Sequence, residues 1–131
     1  MRNYILEVDP VAKPRMTKRD KWKGRDVVNH YYAFKDMITL KANMVGLHSL
    51  PDSINSLIFV IPMPDSWSEK KKREFDGKPH KQRPDLDNLL KSLQDCLCKE
   101  DKHIYHIGDM NKCWGKQGLI MITIENIEKL I

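Results

Sequence analysis

The stretch Arg83-Pro84-Asp85-Leu86-Asp87-Asn88-Leu89-Leu90-Lys91 decides how the rest of this chain is interpreted. Pro84 disfavours a helical conformation for the residue before it, so a helix is expected to begin only after this proline. From Leu86 onwards, apolar residues recur at positions 86, 89, 90, 93 and 97, which form one stripe along a helix. The pattern therefore predicts a helix over about residues 86–98.

The acidic residues at the start of this helix have two interpretations. Asp87 and Lys91 lie one turn apart on its polar face, and Asp85 precedes the helix or begins its first turn. One interpretation is structural, with a capped helix end and a surface ion pair between Asp87 and Lys91. The other is a site for a hard divalent cation, which prefers oxygen ligands and would also take the downstream Asp101.

The length and composition predict one globular domain over residues 1–131. Of the 131 residues, 40% are hydrophobic and 31% are charged, which is typical of a single core with a charge-rich surface. No apolar run approaches the length of a membrane span, and the first residues lack the apolar region of a signal peptide, so we expect a cytoplasmic protein. Cys96, Cys98 and Cys113 lack zinc-site spacing, and we expect reduced thiols.

The pattern of apolar residues predicts an α+β fold. Strands are expected at residues 4–9, 54–63, 104–107 and 118–126, and the second is apolar enough to be central in its sheet. Helices are expected at residues 31–48, 66–75 and 86–98, the second beginning with the capping-box sequence Ser66-Trp67-Ser68-Glu69. Residues 112–116 are interpreted as a basic break. This irregular order predicts helices packed on a mixed sheet. His80 is expected at the surface.

Basic residues are concentrated in two stretches. The formal charge is +5 and the pI is about 9.1, which permits a polyanionic partner. Residues 13–25 are rich in lysine and arginine around Trp22, and residues 70–73 read Lys-Lys-Lys-Arg. Each stretch is either a solvated surface or a surface that contacts phosphates, with Trp22 able to stack on an unpaired base.

Hydrolysis of a phosphodiester is the chemistry that Asp85, Asp87 and Asp101 would support. Three acids leave positions on a bound cation open to water and substrate. Lys91 could stabilise charge that develops on the phosphate or protonate the leaving oxygen. Nearby cations would offset the repulsion between these acids and a nucleic acid. The sequence contains no nucleophilic-serine, P-loop or dinucleotide motif, and a glycosidase carboxylate pair would leave the basic surface unexplained.

Several stretches of the chain, taken in register, resemble the RusA family of Holliday-junction resolvases, especially its phage and prophage members. The specific stretch is Pro84-Asp85-Leu86-Asp87-Asn88-Leu89, with Lys91 after it. The supporting stretches are Lys13-Pro14-Arg15, Met63-Pro64-Asp65-Ser66-Trp67-Ser68 with its lysine run, Glu100-Asp101, and Lys112 before the last strand. Together they span nearly the whole chain.

The resemblance implies a homodimeric endonuclease that uses Mg²⁺, or Mn²⁺ as a substitute, to cut four-way DNA junctions by paired symmetric nicks. Asp85, Asp87 and Asp101 match the catalytic, metal-binding aspartates of the family, and Lys91 matches its essential lysine. DNA contacts are expected from Lys13, Arg15, Lys18, Arg19, Lys70, Lys71, Lys72, Arg73, Lys81, Arg83, Asn88 and Lys112. A phage or prophage origin and a bacterial cytoplasm are also expected.

The sequence departs from the family pattern around the third acid. It reads Glu100-Asp101-Lys102-His103-Ile104 and lacks the usual glycine before the acid, so Glu100 is an alternative third ligand. Two other functions stay open at this point: a noncatalytic DNA-binding module, and a nuclease for other branched DNA. A binding module has no need of clustered carboxylates inside a basic surface, which favours an enzyme.

Overall fold

Strands and helices follow one another in an irregular order. The computed structural model of the protein describes residues 1–14, 26–98, 100 and 102–125. Its elements are, in chain order, β1 (Arg2–Leu6), α1 (Asp26–Met44), β2 (Ser53–Pro62), α2 (Glu69–Phe75), α3 (Leu86–Leu97), β3 (His106–Gly115) and β4 (Leu119–Ile124). The strands form one sheet in the order β1-β4-β2-β3, in which β2 and β3 are parallel and the other pairs are antiparallel. The predicted α+β domain with a mixed sheet is confirmed.

The core lies between one face of this sheet and the helices α1 and α3. β2 is a central strand, as predicted, and its Leu57 and Phe59 are 0% and 1% exposed. Leu89 and Leu93 of α3 belong to the same buried cluster, so the apolar stripe of this helix faces the sheet. The opposite, polar face of α3 is therefore left to solvent.

Helix α1 begins earlier than predicted and buries one stripe of its side chains. It starts at Asp26, not at residue 31, and its buried residues are Val28, Tyr31, Phe34, Ile38 and Ala42. Met37 and Met44 lie off this buried stripe and are 43% and 70% exposed. Aromatic and small side chains fill the space between α1 and the sheet. The buried face of the helix therefore depends on how well the side chains pack as well as on their hydrophobicity.

Strand β3 departs most from the sequence-based expectation. The sequence predicts a short strand at 104–107 and a basic break at 112–116, yet His106–Gly115 is one continuous strand. It pairs in parallel with β2, with Leu57 opposite Met110. Hydrogen bonds to a central strand hold this polar sequence extended, although its composition does not favour a strand.

The ends of three other elements also differ from prediction. β1 ends at Leu6 rather than at residue 9, and β4 is shorter than predicted at each end. Helix α2 begins after Ser68, whose hydroxyl accepts a hydrogen bond of 3.1 Å from the backbone N–H of Lys71. The predicted capping box, which starts at Ser66, is therefore wrong, because the hydroxyl closer to the helix satisfies the free N–H group.

Candidate active site at the start of helix α3

The connector formed by residues 77–84 leads from α2 towards the acidic motif and lies along the edge of β3. The backbone N–H of Gly77 donates to the carbonyl of Trp114 at 2.8 Å, and the N–H of Trp114 donates to the carbonyl of Lys78 at 3.0 Å. Further along, the N–H of His80 donates to the carbonyl of Lys112 at 3.1 Å. The connector therefore covers part of an edge strand that would otherwise present unpaired backbone groups.

The side chain of Lys112 holds the last part of this connector. Its ammonium donates to the backbone carbonyl of Gln82 and, at 2.6 Å, to the backbone carbonyl of Pro84. The peptide bond between Arg83 and Pro84 is cis. The chain is thus attached to β3 up to the residue that immediately precedes Asp85.

Asp85 lies immediately before helix α3, and Asp87 lies in its first turn. Asp85 is the N-cap residue by its extended backbone, and its carbonyl accepts the N–H of Leu89 at 3.1 Å. Its carboxylate, however, makes no capping hydrogen bond among the residues described. An aspartate at this position usually caps the helix, so the carboxylate of Asp85 is left available for a different partner.

The surface ion pair expected from the spacing of the motif is present. Asp87 Oδ2 lies 3.8 Å from Lys91 Nζ, and the two side chains are 71% and 64% exposed. The structural interpretation of the motif is therefore half right, since it accounts for Asp87 and Lys91 but not for the uncapped carboxylate of Asp85. A long ion pair this exposed contributes only about 0.3–0.5 kcal/mol to stability, so folding alone gives little reason for it.

A cleft opens beside these acids. It has a volume of about 540 Å³ and is lined by Ala12, Arg83, Pro84, Asp85 and Asn88. Arg83 is exposed and Asn88 is half-buried, so a guanidinium and an amide border the same space as the carboxylate of Asp85. Both groups can donate hydrogen bonds to phosphate oxygens, and arginine can do so with two parallel bonds.

The two acids fit a divalent cation of the magnesium type. Such a cation takes oxygen ligands and is commonly held by one or two carboxylates, with water and substrate phosphates completing its shell. Asp85 has a carboxylate without a capping partner, and the carboxylate of Asp87 is open to water.

The position of the third acid stays a prediction. Asp101 lies outside the described residues, and within them no group of three or more His, Cys, Asp or Glu side chains could hold a metal. Glu100 borders a different cleft, with Cys98 and His103 beyond the C-terminal end of α3. Since the 12 residues of α3 span about 18 Å, Glu100 does not lie beside Asp85 within one chain.

The residues expected to contact DNA lie in several places. Lys81 and Arg83 are exposed on the connector, and the basic run of α2 is exposed except for half-buried Lys72. Lys13 pairs with Asp95 at 3.2 Å rather than standing alone, and the ammonium of Lys112 contacts the two backbone carbonyls described above. Arg15, Lys18 and Arg19 lie outside the described residues, as does Trp22.

An aromatic stack attaches helix α2 to the rest of the molecule. The ring of Trp67 lies 5.2 Å from Phe75 and 4.7 Å from Trp114, measured between ring centroids. The ring of His80 lies 4.2 Å from Trp114 on the same basis. No residue of α2 itself is fully buried, so this stack fixes the helix that carries the lysine run. Lys71 contributes to it, with its ammonium 4.2 Å from the ring centroid of Trp67.

The prediction of a surface position for His80 was wrong. This side chain is only 4% exposed, and its Nδ1 has no hydrogen-bond partner among the described residues. Burial lowers the pKa of His80 below 6.5, and the nearby charge of Lys112 lowers it further. The imidazole is therefore neutral at pH 7. The ring packs against a tryptophan contributed by β3, a contact that sequence spacing does not indicate.

A second charged cluster joins α1 to α3 and was not predicted. The hydroxyl of Tyr31 donates to the carboxylate of Asp95, which also pairs with Lys13 at 3.2 Å and with Lys35 at 3.7 Å. Burial and this hydrogen bond raise the pKa of the Tyr31 phenol. Burial acts to raise the pKa of Asp95, but the hydrogen bonds from Tyr31 and Lys13 lower it on balance. Asp95 thus links α1, α3 and Lys13.

Comparison with known proteins identifies the family of this chain. The sequence profile described as "Endodeoxyribonuclease RusA" matches residues 7–125. Comparison with curated proteins and with solved structures finds no match. In the described parts of the chain, no helix is both long enough and apolar enough to cross a membrane. The profile covers both acids at the start of α3, the connector and every strand from β2 onwards. The chain therefore belongs to the RusA endodeoxyribonuclease family, whose members are Holliday-junction resolvases that hydrolyse DNA and generally need a divalent metal.

Proposed function

We propose that this endonuclease resolves four-way DNA junctions by paired symmetric nicks, with Mg²⁺ held by Asp85 and Asp87. The observation that carries the proposal is the uncapped, solvent-facing carboxylate of Asp85 beside Asp87 and Lys91, in a member of the RusA family. Mn²⁺ would serve as a substitute, since it accepts the same oxygen ligands.

Each residue of the site has a role in the reaction. When bound, a divalent cation would neutralise charge on the scissile phosphate and lower the pKa of an attacking water. Asp85 and Asp87 would bind and orient that cation. In the hydrolysis, the attacking water gives up a proton to solvent as its oxygen bonds to phosphorus, the bond from phosphorus to the leaving oxygen breaks, and the leaving oxygen takes up a proton, so that one water is added in total.

Lys91 would act on the charge that develops during this step. Its Nζ lies 3.8 Å from Asp87 Oδ2. The ammonium would therefore lie close to a phosphate that is held by a cation at that carboxylate. It stabilises negative charge on the phosphoryl oxygens or donates the proton to the leaving oxygen. Arg83 and Asn88, which line the cleft beside Asp85, would hold the phosphate backbone next to the cut.

The charge distribution supports a DNA substrate that is selected by its shape. The acids alone would repel DNA, and exposed cations on the connector and on α2 offset that repulsion. Contacts of this kind bind phosphates without reading bases, so their arrangement selects the shape of the DNA rather than its sequence.

A homodimer is the form in which such a site would resolve a junction. A two-fold dimer presents two identical sites to a substrate with two-fold symmetry, so that equivalent strands are cut in pairs. Paired cuts leave two nicked duplexes that a ligase can seal. Light scattering in solution would then give about twice the chain mass of 15.4 kDa.

A synthetic four-way junction, with a linear duplex of the same sequence as control, tests the proposal. We expect symmetric paired nicks in the junction with Mg²⁺, no cutting in chelator, and an uncut linear duplex. Cleavage that persists in chelator, or equal cleavage of the linear duplex, would overturn it. Equal rates on flaps and three-way junctions would assign the chain to branched DNA in general. Tight junction binding without cleavage of any DNA would point to a noncatalytic module.

A further inference from the structure

The ammonium of Lys112 is occupied in a way that its expected role as a DNA contact does not explain. Nζ donates to the carbonyl of Gln82 and, at 2.6 Å, to the carbonyl of Pro84. Two of its three donors are therefore directed at the backbone of the connector. A lysine that contacts phosphates usually extends its ammonium into solvent, whereas the bond to Pro84 is partly buried.

The sheet places the stem of this lysine against the core. Lys112 is opposite Phe59 on β2, Phe59 is opposite Ile120 on β4, and Ile120 is opposite Leu6 on β1. Residues in one such row share a face of the sheet, and here it is the face that carries the core. The aliphatic stem thus begins at the edge of the core, and the charged end reaches the connector beyond it.

The backbone of Lys112 holds the same connector at a second point. Its carbonyl accepts the N–H of His80 at 3.1 Å, two residues before Gln82. One residue of β3 therefore holds the connector through both its main chain and its side chain. These bonds span residues 80–84, the segment that enters α3.

The bond to Pro84 bears directly on the position of Asp85. A peptide unit is planar, so the carbonyl oxygen of Pro84 and the Cα of Asp85 lie in one plane. Fixing that oxygen restrains the Cα from which the carboxylate of Asp85 projects. Asp87 follows on the first turn of the helix that starts there.

We propose that Lys112 is a positioning residue, which holds the peptide before Asp85 through the carbonyls of Gln82 and Pro84 and so sets the geometry of the Asp85 and Asp87 carboxylates. It acts through the backbone and does not contact DNA. The proposal rests on the proposed function for its effect on catalysis, but its effect on the connector is independent of that function. Groups that orient metal ligands in this way typically change metal affinity or activity by about 10–100-fold when they are removed.

The test uses three variants of the full chain. Lys112→Met keeps the aliphatic stem and removes the donors, and Lys112→Arg keeps a cation with donors. Lys116→Met is the matched control, because this exposed lysine follows β3 directly and makes no contact with the connector in the described hydrogen bonds.

The first measurement is amide hydrogen exchange of the protein without metal and without DNA. In Lys112→Met we expect exchange over residues 80–89 to be at least about tenfold faster, with protection of β2 and β4 unchanged. Lys116→Met should match the wild type, and Lys112→Arg should recover most of the protection. Unchanged exchange in a folded Lys112→Met protein would overturn the proposal. If Lys112→Met does not fold, a folded Lys112→Arg protein without protection over 80–89 would overturn it too.

The second measurement is Mn²⁺ affinity of the protein without DNA, and its sign separates two roles. A lysine that acts only as a positive charge near the acids repels the cation, so its loss would tighten Mn²⁺ binding. A residue that positions the acids predicts the opposite, at least about tenfold weaker binding in Lys112→Met. Tighter binding would overturn the proposal. If the wild type itself binds no Mn²⁺, the proposed function fails, while the exchange measurement still decides whether Lys112 holds the connector.

The third measurement separates positioning from phosphate contact. At saturating junction, single-turnover cleavage by Lys112→Met should fall by about 10–100-fold, and the salt dependence of junction binding should keep its slope. If the slope of log affinity against log salt fell by about 1 while cleavage at saturation stayed normal, Lys112 would be a phosphate contact and the proposal would be overturned.

Discussion

Lys91 Nζ lies 3.8 Å from Asp87 Oδ2, one turn along α3, and both side chains are mostly exposed to water. A pair this exposed contributes about 0.3–0.5 kcal/mol to folding. Either residue can therefore be replaced with little effect on stability, and a change in activity would report on the reaction itself.

Asp87→Asn is expected to abolish cleavage and to retain or tighten junction binding. The variant removes a proposed ligand of the cation, which should lower single-turnover cleavage by at least about 100-fold, and it removes a charge that repels DNA. The free energy of unfolding should change by less than about 1 kcal/mol. Asp36→Asn, at an exposed position on α1, serves as control. Loss of junction binding in Asp87→Asn would count against a role as metal ligand.

Lys91→Ala should lower the cleavage rate more than the affinity for DNA. An ammonium that stabilises the developing charge or protonates the leaving oxygen contributes about 100-fold to the rate, whereas one phosphate contact among many changes affinity only slightly. Single-turnover rates at saturating junction, together with fluorescence anisotropy in Ca²⁺, measure the two effects. The reverse pattern, weak binding with a normal saturated rate, would make Lys91 a simple phosphate contact.

Glutamine in place of Lys70, Lys71, Lys72 and Arg73 should reduce the salt dependence of junction binding. For each cation that no longer binds a phosphate, the slope of log affinity against log salt becomes shallower by about 0.9. Glutamine is chosen because it keeps a long stem, which matters for Lys71 above the ring of Trp67. An unchanged slope would show that α2 is a solvated surface that does not contact DNA.

Asp95→Ala should destabilise the protein without removing a group of the proposed active site. The carboxylate accepts a hydrogen bond from the hydroxyl of Tyr31, a residue only 1% exposed, so the substitution removes the charged acceptor of a buried donor at a cost of about 1–3 kcal/mol. Urea unfolding measures the loss, and Tyr31→Phe should lose less because it removes the donor as well. Equal or larger loss in Tyr31→Phe would contradict this account.

The Asp95 carboxylate also predicts that the free energy of unfolding decreases at low pH. The pKa of Asp95 in the folded protein lies below 3.8, so the folded state binds fewer protons than the unfolded state as pH falls through that range. Its contribution is complete above pH 3.8 and is lost as pH falls through the folded-state pKa. In Asp95→Asn, this part of the decrease in unfolding free energy at low pH should be absent, as urea unfolding at a series of pH values would show.

His80 predicts a second pH dependence, closer to neutrality. Its pKa is lowered in the folded protein, so the unfolded state takes up a proton first as pH falls. The stability is complete above pH 6.5 and decreases as pH falls below that value towards the folded-state pKa. His80→Phe keeps a ring beside Trp114 and cannot be protonated, so its unfolding midpoint should vary less between pH 7 and pH 5. The same pH slope in both proteins would exclude this role for His80.

The acidic motif and its helix were predictable because they depend on interactions between residues close together in the sequence. Proline before Asp85 and the spacing of apolar residues specify where α3 begins and which face it buries, and the pair of Asp87 and Lys91 follows from helical geometry. The central position of β2 was predictable for a similar reason, since a continuous apolar run indicates a central strand, although only one face of β2 is fully buried. These features depend on residues that are neighbours in the chain.

Contacts between distant residues were not predictable from spacing. His80 is buried because Trp114 lies beside it, and β3 is extended because β2 pairs with it. Neither partner can be read from the local pattern. The hydrogen bonds from Lys112 to the carbonyls of Gln82 and Pro84 were not predictable for the same reason, because the sequence shows the charge of this lysine but not the carbonyls near it.

The sequence by itself determined the chemistry that this chain can offer: two carboxylates and a lysine on the first turns of a helix, inside a basic surface. It did so because helix start, period and charge are properties of short segments. Only the tertiary structure decided that Lys112 donates to the carbonyl of Pro84, 28 residues earlier in the chain, and which end of α3 Glu100 lies beside. Those relationships depend on the register and packing of the whole sheet, which no short segment encodes.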